Sequence, residues 1–268
     1  MGRTISVIMG IYNCAPTLPA AGESIVNQTY TDWELIMCDD GSRDDTYAVA
    51  ESYRQQYPGK IILIKNERNM GLNFTLNRCL SCASGDYIAR MDGDDLCDPL
   101  RFEKELQVLE EDSQLAVVST STSFFDENGT WGKSIPKEYP DKMDCMRGTP
   151  FCHAPSMIRR KVIEEIGGYT DDSKYLRVED YDLWIRIYAA GYRGKNIQQI
   201  LYHVRDDQNA VQRRKFRYRI NESRVVCKAV KLLRLPIYGY LFALIPIIKG
   251  FLPLKVYQLL HRNRLTGE

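Results

Sequence analysis

Three short acidic stretches hold most of the chemistry that this sequence could perform: Asp39-Asp40-Gly41-Ser42, Asp92-Gly93-Asp94-Asp95 and Glu179-Asp180-Tyr181-Asp182. In the second, two carboxylates flank a glycine, whose backbone freedom lets both face one hard cation or a ribose. Oxygen ligands suit Mg2+ or Mn2+, and Mg2+ is commonly held by one or two carboxylates together with substrate phosphates. Alone, the tripeptide reads as a solvated acidic turn. At the end of a buried strand, in line with other polar strand ends, the ligand reading takes precedence. The first stretch is either a strand-to-helix turn with capping residues such as Ser42 and Asp44, or a free carboxylate that accepts the imide N–H of uracil or thymine. In the third, the acids either compensate the positive end of a helix or include one that takes a proton from an attacking hydroxyl.

These residues need elements to position them. Apolar runs at Ile5–Met9, Trp33–Cys38, Lys60–Lys65, Asp86–Met91 and Leu115–Phe125 read as strands. Helical spacing fills Thr17–Gln28, Asp45–Gln56, Leu72–Ala83 and Pro99–Asp112 between them. Such repeated strand–helix units predict an α/β, doubly wound, mostly parallel sheet, whose ligand crevice lies beyond the carboxyl ends of its strands. Tyr12-Asn13, Asp39-Asp40 and Asp92/Asp94/Asp95 all sit at such ends, so the fold class brings them to one rim. Further on, 136–151 reads as loop, Ala154–Ile158 as a short strand and Arg159–Ile166 as a helix. A second helix, Glu179–Ala190, stops at Gly191.

The chain has 268 residues, 44% hydrophobic and 26% charged, with a net charge of +1. This is the composition of a protein with a real core, and it excludes a uniformly basic nucleic-acid coat. The charge is unevenly spread: from Gln212 onward there are 13 Lys and Arg against 2 Asp and Glu. An acidic body thus carries a basic tail. Eight cysteines read as reduced, structural thiols of a cytosolic protein. Cys79-Leu-Ser-Cys82 lacks a second pair for zinc and sits late in a helix, where a redox pair would want the N-terminus. Met1–Thr4 leads straight into a strand, so no signal peptide is expected.

The ordered set Ser6-Val-Ile-Met-Gly-Ile-Tyr-Asn13, Gln28-Thr-Tyr-Thr-Asp-Trp-Glu-Leu35, Asp39-Asp-Gly-Ser42, Asn69-Met-Gly-Leu72, Gly85-Asp-Tyr-Ile88, Asp92-Gly-Asp-Asp95, Gly167-Gly-Tyr169 and Glu179-Asp-Tyr-Asp-Leu-Trp184 resembles bacterial glycosyltransferase family 2. Val204-Arg205 and Arg213-Arg214 resemble its capsule, exopolysaccharide and O-antigen subset, of amylovoran type. The resemblance implies a GT-A fold and an inverting transfer from a nucleotide sugar, a UDP-sugar, with Mn2+ or Mg2+. It implies a GT-A domain over residues 1–210, the nucleotide-sugar half ending near 125, and a basic, apolar, amphipathic helical extension over 211–268. By the same resemblance, Gly10 and Tyr12 wall the nucleoside, Asp40 binds the base and Asp92 the ribose. Asp94 is a metal ligand, Asp180 the general base, and Glu179 positions the acceptor. His203 is either a second metal ligand or a strand-end residue, and His153 either lines the acceptor or is structural. The implied acceptor is a lipid-linked saccharide, whose diphosphate Arg213 and Arg214 could meet.

In the tail, Leu235–Ile248 carries no charge but contains Pro236, Gly239 and Pro246. The run is too short and broken for a spanning helix. Either it lies on an anionic inner-leaflet surface, making the protein peripheral on the cytoplasmic face of the membrane, or its apolar face packs on the body. Nucleic acid is not an expected partner, because the basic residues adjoin apolar runs. Two other readings exist. A sugar nucleotidyltransferase also uses Asp-bound Mg2+, but normally has a Gly-rich basic loop where this chain has Tyr12-Asn13-Cys14-Ala15. A non-catalytic membrane scaffold could keep the fold, though it would not need Asp92, Asp94 and Asp180.

Overall fold

The computed structural model describes residues 4–206 and 215–253, together with Val256, Asn263, Leu265 and Thr266. Nine strands form one sheet in the order β3-β2-β1-β4-β8-β6-β9-β5, with β7 paired to β6. The first four neighbours are β3 (Ile61–Lys65), β2 (Trp33–Asp39), β1 (Ile5–Ile11) and β4 (Tyr87–Arg90), all parallel. Helices α1 (Leu18–Val26), α2 (Thr46–Gln56) and α3 (Leu72–Cys82) make the crossovers between them. Beyond β4 the sheet is mixed. β8 (Met157–Arg159) enters antiparallel between β4 and β6 (Leu115–Asp126), while β9 (Arg193–Arg205) runs parallel to β6. β5 (Leu96–Cys97) and β7 (Gly129–Ser134) are antiparallel additions to β9 and β6.

Strand alternation sorts the core into two faces. Val7, Met9, Leu35, Met37 and Ala89 face α1, α2 and α4 (Arg101–Glu111), meeting Leu18, Ala50 and Phe102. Ile8, Ile36, Cys38 and Ile88 face the other way, onto α3, α5 (Arg160–Glu165) and α6 (Glu179–Ala189), meeting Leu76, Val162 and Trp184. Both faces of these strands are covered, which is why their sequences read as continuous apolar runs. All eight cysteines are free, as the sequence suggested, and Cys79 is buried inside α3.

The chain ends in α7 (Phe216–Leu232), α8 (Gly239–Phe242) and α9 (Leu244–Gly250). Val225, Val226, Ala229 and Val230 of α7 pack against Cys145, Met146, Tyr181 and Ile185 in a third core cluster. The two readings of the tail therefore divide along its length: α7 packs on the body, while much of α8 and α9 stays exposed. No helix among the described residues is long and apolar enough to cross a membrane.

Candidate active site

The three carboxyl ends meet because of register. Ile11 at the end of β1 lies opposite Asp39, and Arg90 at the end of β4 lies opposite Ile8. Side chains then stitch the loops together. Asn13 N–H donates to Ser42 Oγ at 3.0 Å, Arg43 N–H donates to Asn13 Oδ1 at 2.9 Å, and Thr17 Oγ1 donates to the Gly93 carbonyl at 3.0 Å. A Cβ on Gly93 would stand 3.0 Å from Cys14 Sγ and 3.1 Å from Ile11 Cγ2, so the turn between Asp92 and Asp94 has no room for a larger residue without displacement.

Asp40 is buried and already engaged. Its Oδ1 accepts Asn66 Nδ2–H and Met70 N–H, each at 2.7 Å, and its Oδ2 accepts Gly71 N–H at 2.9 Å. It thereby braces the loop 66–71 against the end of β2. Gly41 makes that approach possible: its φ is +72°, and a Cβ there would lie 2.7 Å from the Arg68 backbone. Tyr12, 43% exposed, follows Ile11, whose carbonyl accepts the Asp40 N–H, and Met70, 41% exposed, gives its N–H to Asp40. Gly10 lies under α3, where a Cβ would meet Leu72 and Thr75 at 3.2 Å. Its role is to let the helix approach the strand closely.

Asp92, Asp94 and Asp95 bring carboxylate oxygens within 4.8 Å of one another. Two of the three are partly satisfied by protein. Arg90 Nη2 pairs with Asp92 Oδ1 at 2.5 Å, and Arg205 N–H donates to Asp95 Oδ1 at 2.8 Å. Tyr202 receives the Asp92 N–H on its Oη at 3.2 Å. The Asp94 carboxylate turns outward, while Arg205 Nε holds its main-chain carbonyl at 3.1 Å. Confinement within the crevice, and then the neighbouring Asp92, push the Asp94 carboxyl up to about 6. Burial also raises the Asp95 carboxyl well above the usual carboxylate range. This donor set suits a hard divalent cation: oxygen-only, gathered within one coordination sphere, and electrostatically overloaded without a positive charge. Among the described residues the group does not include His203. Its Nδ1 lies 2.7 Å from Ser123 Oγ, and burial lowers its basicity. Strand alternation explains the difference, since Tyr202 points into the site and His203, the next residue, points away.

Glu179 and Asp180 open α6, where the free N–H groups favour negative charge. Burial first, and Glu179 second, push the Asp180 carboxyl up to about 7, and burial raises Glu179 as well. The charge of Arg90, itself buried, bears on Asp92, Asp94 and Asp95 and also on Glu179 and Asp180. Tyr169 likewise feels Asp92 and Asp180 together. Arg90 contacts Asp92 directly and its charge reaches Glu179 and Asp180, so the two acidic stretches, separated by more than eighty residues, share the field of one buried cation. Asp182, the last acid of its stretch, does not belong to this group. It is fully buried, accepts Thr170 Oγ1 at 2.7 Å and Arg186 Nε at 2.8 Å, and is paired with Lys228 of α7. His153 is buried, its Nε2 2.8 Å from Tyr169 Oη and its ring edge-on to Trp184. Arg213 and Arg214 lie outside the described residues.

Sequence reasoning passed over Arg90 and Tyr202, and it placed Asp95 on the rim and Arg205 in a motif without giving either a role in the site. Arg90 had a signal: it is the one charge inside the otherwise apolar run Tyr87–Met91, and a lone buried charge needs partners. Tyr202 and Arg205 belong to β9, a strand whose polar composition hid it.

An open α/β sheet with an acidic rim at its switch point carries that rim where sheets of this class bind their ligands. Residues 6–167 match the family described as Glycosyl transferase family 2, and residues 87–262 match Glycosyl transferase family group 2. EpsE of Bacillus subtilis (strain 168), a protein named as a glycosyltransferase, is 43% identical over 267 residues, covering 100% of this chain and 96% of its own. The amylovoran biosynthesis glycosyltransferase AmsE of Erwinia amylovora is 29% identical, with 98% and 99% covered. WfaP of Escherichia coli, named as a UDP-Glc:alpha-D-GlcNAc-diphosphoundecaprenol beta-1,3-glucosyltransferase, is 27% identical, with 83% and 85% covered. In fold, the chain is similar to the crystal structure of S. aureus TarS 1-349 in complex with UDP, at a TM-score of 0.70 and 15% identity, covering 97% of this chain and 78% of that one. It is also similar to the mannosyltransferase PcManGT from Pyrobaculum calidifontis in complex with GDP-Man and Mn2+, at a TM-score of 0.65 and 18% identity, covering 96% and 79%. The protein belongs to glycosyltransferase family 2 and has the GT-A fold.

Proposed function

We propose that the protein transfers a sugar from a UDP-sugar to a hydroxyl of a lipid-linked or saccharide acceptor in cell-surface polysaccharide assembly, with inversion at the anomeric carbon. The observation that carries this reading is Arg90, the buried cation on which the Asp92/Asp94/Asp95 group and the Glu179/Asp180 pair converge. A donor site and a general base must flank one reacting carbon, and a shared counter-ion between them is consistent with that demand. The relative named for UDP-Glc and a diphosphoundecaprenol acceptor supports the choice of substrates.

On this reading the exposed apolar surfaces of Tyr12 and Met70, with Gly10 nearby, receive the base, and Asp40 accepts its imide N–H. Asp92 takes the ribose. Asp94, with Asp92 and Asp95 beside it, would hold Mn2+ or Mg2+, which when bound supplies Lewis-acid stabilisation of the leaving diphosphate. Asp180 accepts the proton of the acceptor hydroxyl while that oxygen bonds to the anomeric carbon and the bond from that carbon to the nucleoside diphosphate breaks. A carboxyl raised to about 7 suits this task, because a base works best with a pKa near the working pH. Glu179 orients the acceptor beside it. The C-terminal segment places the enzyme peripherally on the cytoplasmic face of the membrane.

The test is product release from a panel of nucleotide sugars with Mn2+ and a saccharide acceptor. Release of UDP on transfer supports the proposal; release of pyrophosphate would point to nucleotidyl transfer, and no turnover with any donor to a scaffold. Asp180→Asn is expected to lower transfer by about 10²–10⁴-fold while keeping the thermal shift given by UDP.

A further inference from the structure

A cleft of about 720 Å³ opens beside Asp180, and its lining does not include the carboxylates of the donor crevice. One wall is the 136–150 segment, the floor is the start of α6, and the far wall comes from α7 and α9. Its size is that of a small-molecule site. Five basic and three acidic side chains line it. Two of the basic ones are neutralised locally: Lys137 pairs with Asp144 at 2.9 Å and Arg219 with Glu222 at 2.9 Å. Arg147, Arg177 and Lys249 have no carboxylate within salt-bridge distance among the described residues, although Asp180 lines the same space. Arg147 is instead stacked over the Phe242 ring of α8 at 5.7 Å.

Arg177 is held there at a cost. Its φ is +66°, a left-handed conformation that a long side chain adopts only when its surroundings impose it. Asn221 of α7 braces the turn that leads into Arg177, its buried Nδ2 donating to the carbonyls of Ser173 at 3.3 Å and Leu176 at 3.1 Å. The C-terminal helix therefore aims Arg177 as well as walling the cleft.

Lys249 connects this cationic cleft to a second feature. Ile237, Leu241, Leu244, Ile248 and Phe251 recur at helical spacing along α8 and α9, and their exposures run from 54% to 84%. Nothing among the described residues covers this stripe. It begins and ends beside the same helices that bring Lys249 and Phe242 to the cleft.

Resting on the proposal that Asp180 faces the acceptor, we infer that Arg147, Arg177 and Lys249 bind the diphosphate of a membrane-borne acceptor, whose lipid chain leaves along the α8–α9 stripe into the bilayer. The chemistry is matched at each point. Two arginines and a lysine meet a multiply charged oxyanion, and the apolar stripe meets hydrocarbon. Only Val178 and Glu179 separate Arg177 from Asp180, so at most about 10 Å of backbone lies between them. The acceptor hydroxyl is therefore close to the diphosphate, and the acceptor is a short saccharide rather than a long polymer.

The full chain is tested by flotation, without divalent cations, on two kinds of phosphatidylcholine vesicle. One contains farnesyl diphosphate and the other phosphatidylglycerol, at matched surface charge. The wild type is expected to prefer the diphosphate vesicles. Arg177→Asn, which keeps a residue tolerant of positive φ, and Lys249→Gln should each weaken that preference by about tenfold, the equivalent of one charge-assisted contact. Inorganic pyrophosphate should compete with the wild type at the vesicles. Ile248→Ser combined with Phe251→Ser should abolish vesicle binding while pyrophosphate still raises the thermal midpoint. Equal recovery of the wild type on both vesicles, or a preference that survives Arg147→Gln/Arg177→Asn/Lys249→Gln, would overturn the inference. UDP with Mn2+ is titrated in the same proteins. A retained UDP shift in the variants supports a local loss at the cleft, whereas no shift in the wild type overturns the donor reading itself.

Discussion

Replacing Lys228 with Met tests whether the C-terminal helices are part of the catalytic body. The Asp182 carboxylate is fully buried and holds three partners: Thr170 Oγ1, Arg186 Nε and Lys228 Nζ. Met keeps the apolar stem but removes one charged partner and the ammonium 4.7 Å above the Tyr175 ring. Losing a charge-assisted hydrogen bond costs roughly 1.5–3 kcal/mol, and orphaning a buried charge roughly 3–5. Because Arg186 remains, the lower range applies, and a loss of about 2 kcal/mol is expected. For a chain of this length that is a drop of roughly 4–8 °C in the thermal midpoint. The pH dependence identifies the cause. Hydrogen bonds and the two cations hold the Asp182 carboxyl, despite its burial, below the usual range. Its contribution is therefore present above the unfolded pKa and is lost as pH falls through the lower folded value. The deficit of Lys228→Met should be greatest near neutrality and shrink on acidification, and it should nearly vanish in an Asp182→Asn background. Denaturant and calorimetric unfolding read both. A deficit below about 0.5 kcal/mol, or one independent of pH and of Asp182, would refute the reasoning.

Three further outcomes are expected. The pH profile of kcat/KM should rise through about 7, because Asp180 must lose its proton to act as base, and Glu179→Gln should move the limb lower by removing a like charge; stopped transfer assays across pH measure both. Gly41→Ala should cost about 2–4 kcal/mol and weaken UDP binding, since a left-handed φ and a Cβ 2.7 Å from the Arg68 backbone push the 66–71 loop off Asp40; unfolding and UDP titration read it. Asp94→Ala should lower the Mn2+ dependence of the UDP thermal shift, as the outward carboxylate is the one without a side-chain partner among those described; a metal titration checks it.

The donor half of the fold was legible because its strands are covered on both faces. Val7, Ile8 and Met9 or Ile36, Met37 and Cys38 leave no polar position to blur the pattern, and each crossover helix follows at a short interval. The acceptor half was less so. β9 contains Asn196, Gln198 and Gln199, β7 is Gly129-Thr-Trp-Gly-Lys-Ser134, and both depend on β6 rather than on their own apolarity. Their strand character is tertiary, so local pattern could not report it. In the site, the motif carboxylates fell where the strand ends put them. Their partners did not announce themselves: Arg90 and Arg205 are recognisable only once β4 and β9 are seen to converge on the same acids. Asp182 shows the opposite case, an acid grouped with Asp180 by sequence and separated from it by helical rotation.

The Asn221 contact has a practical consequence for anyone who would shorten this protein. Trimming the chain after about residue 210 would look like the removal of a greasy appendage that hampers handling. It would also release the turn that presents Arg177 and take Lys228 away from Asp182, leaving the first turn of α6 without its external support. Such a core could retain nucleotide affinity and yet fail to glycosylate anything, and its silence would be mistaken for a wrong choice of sugar.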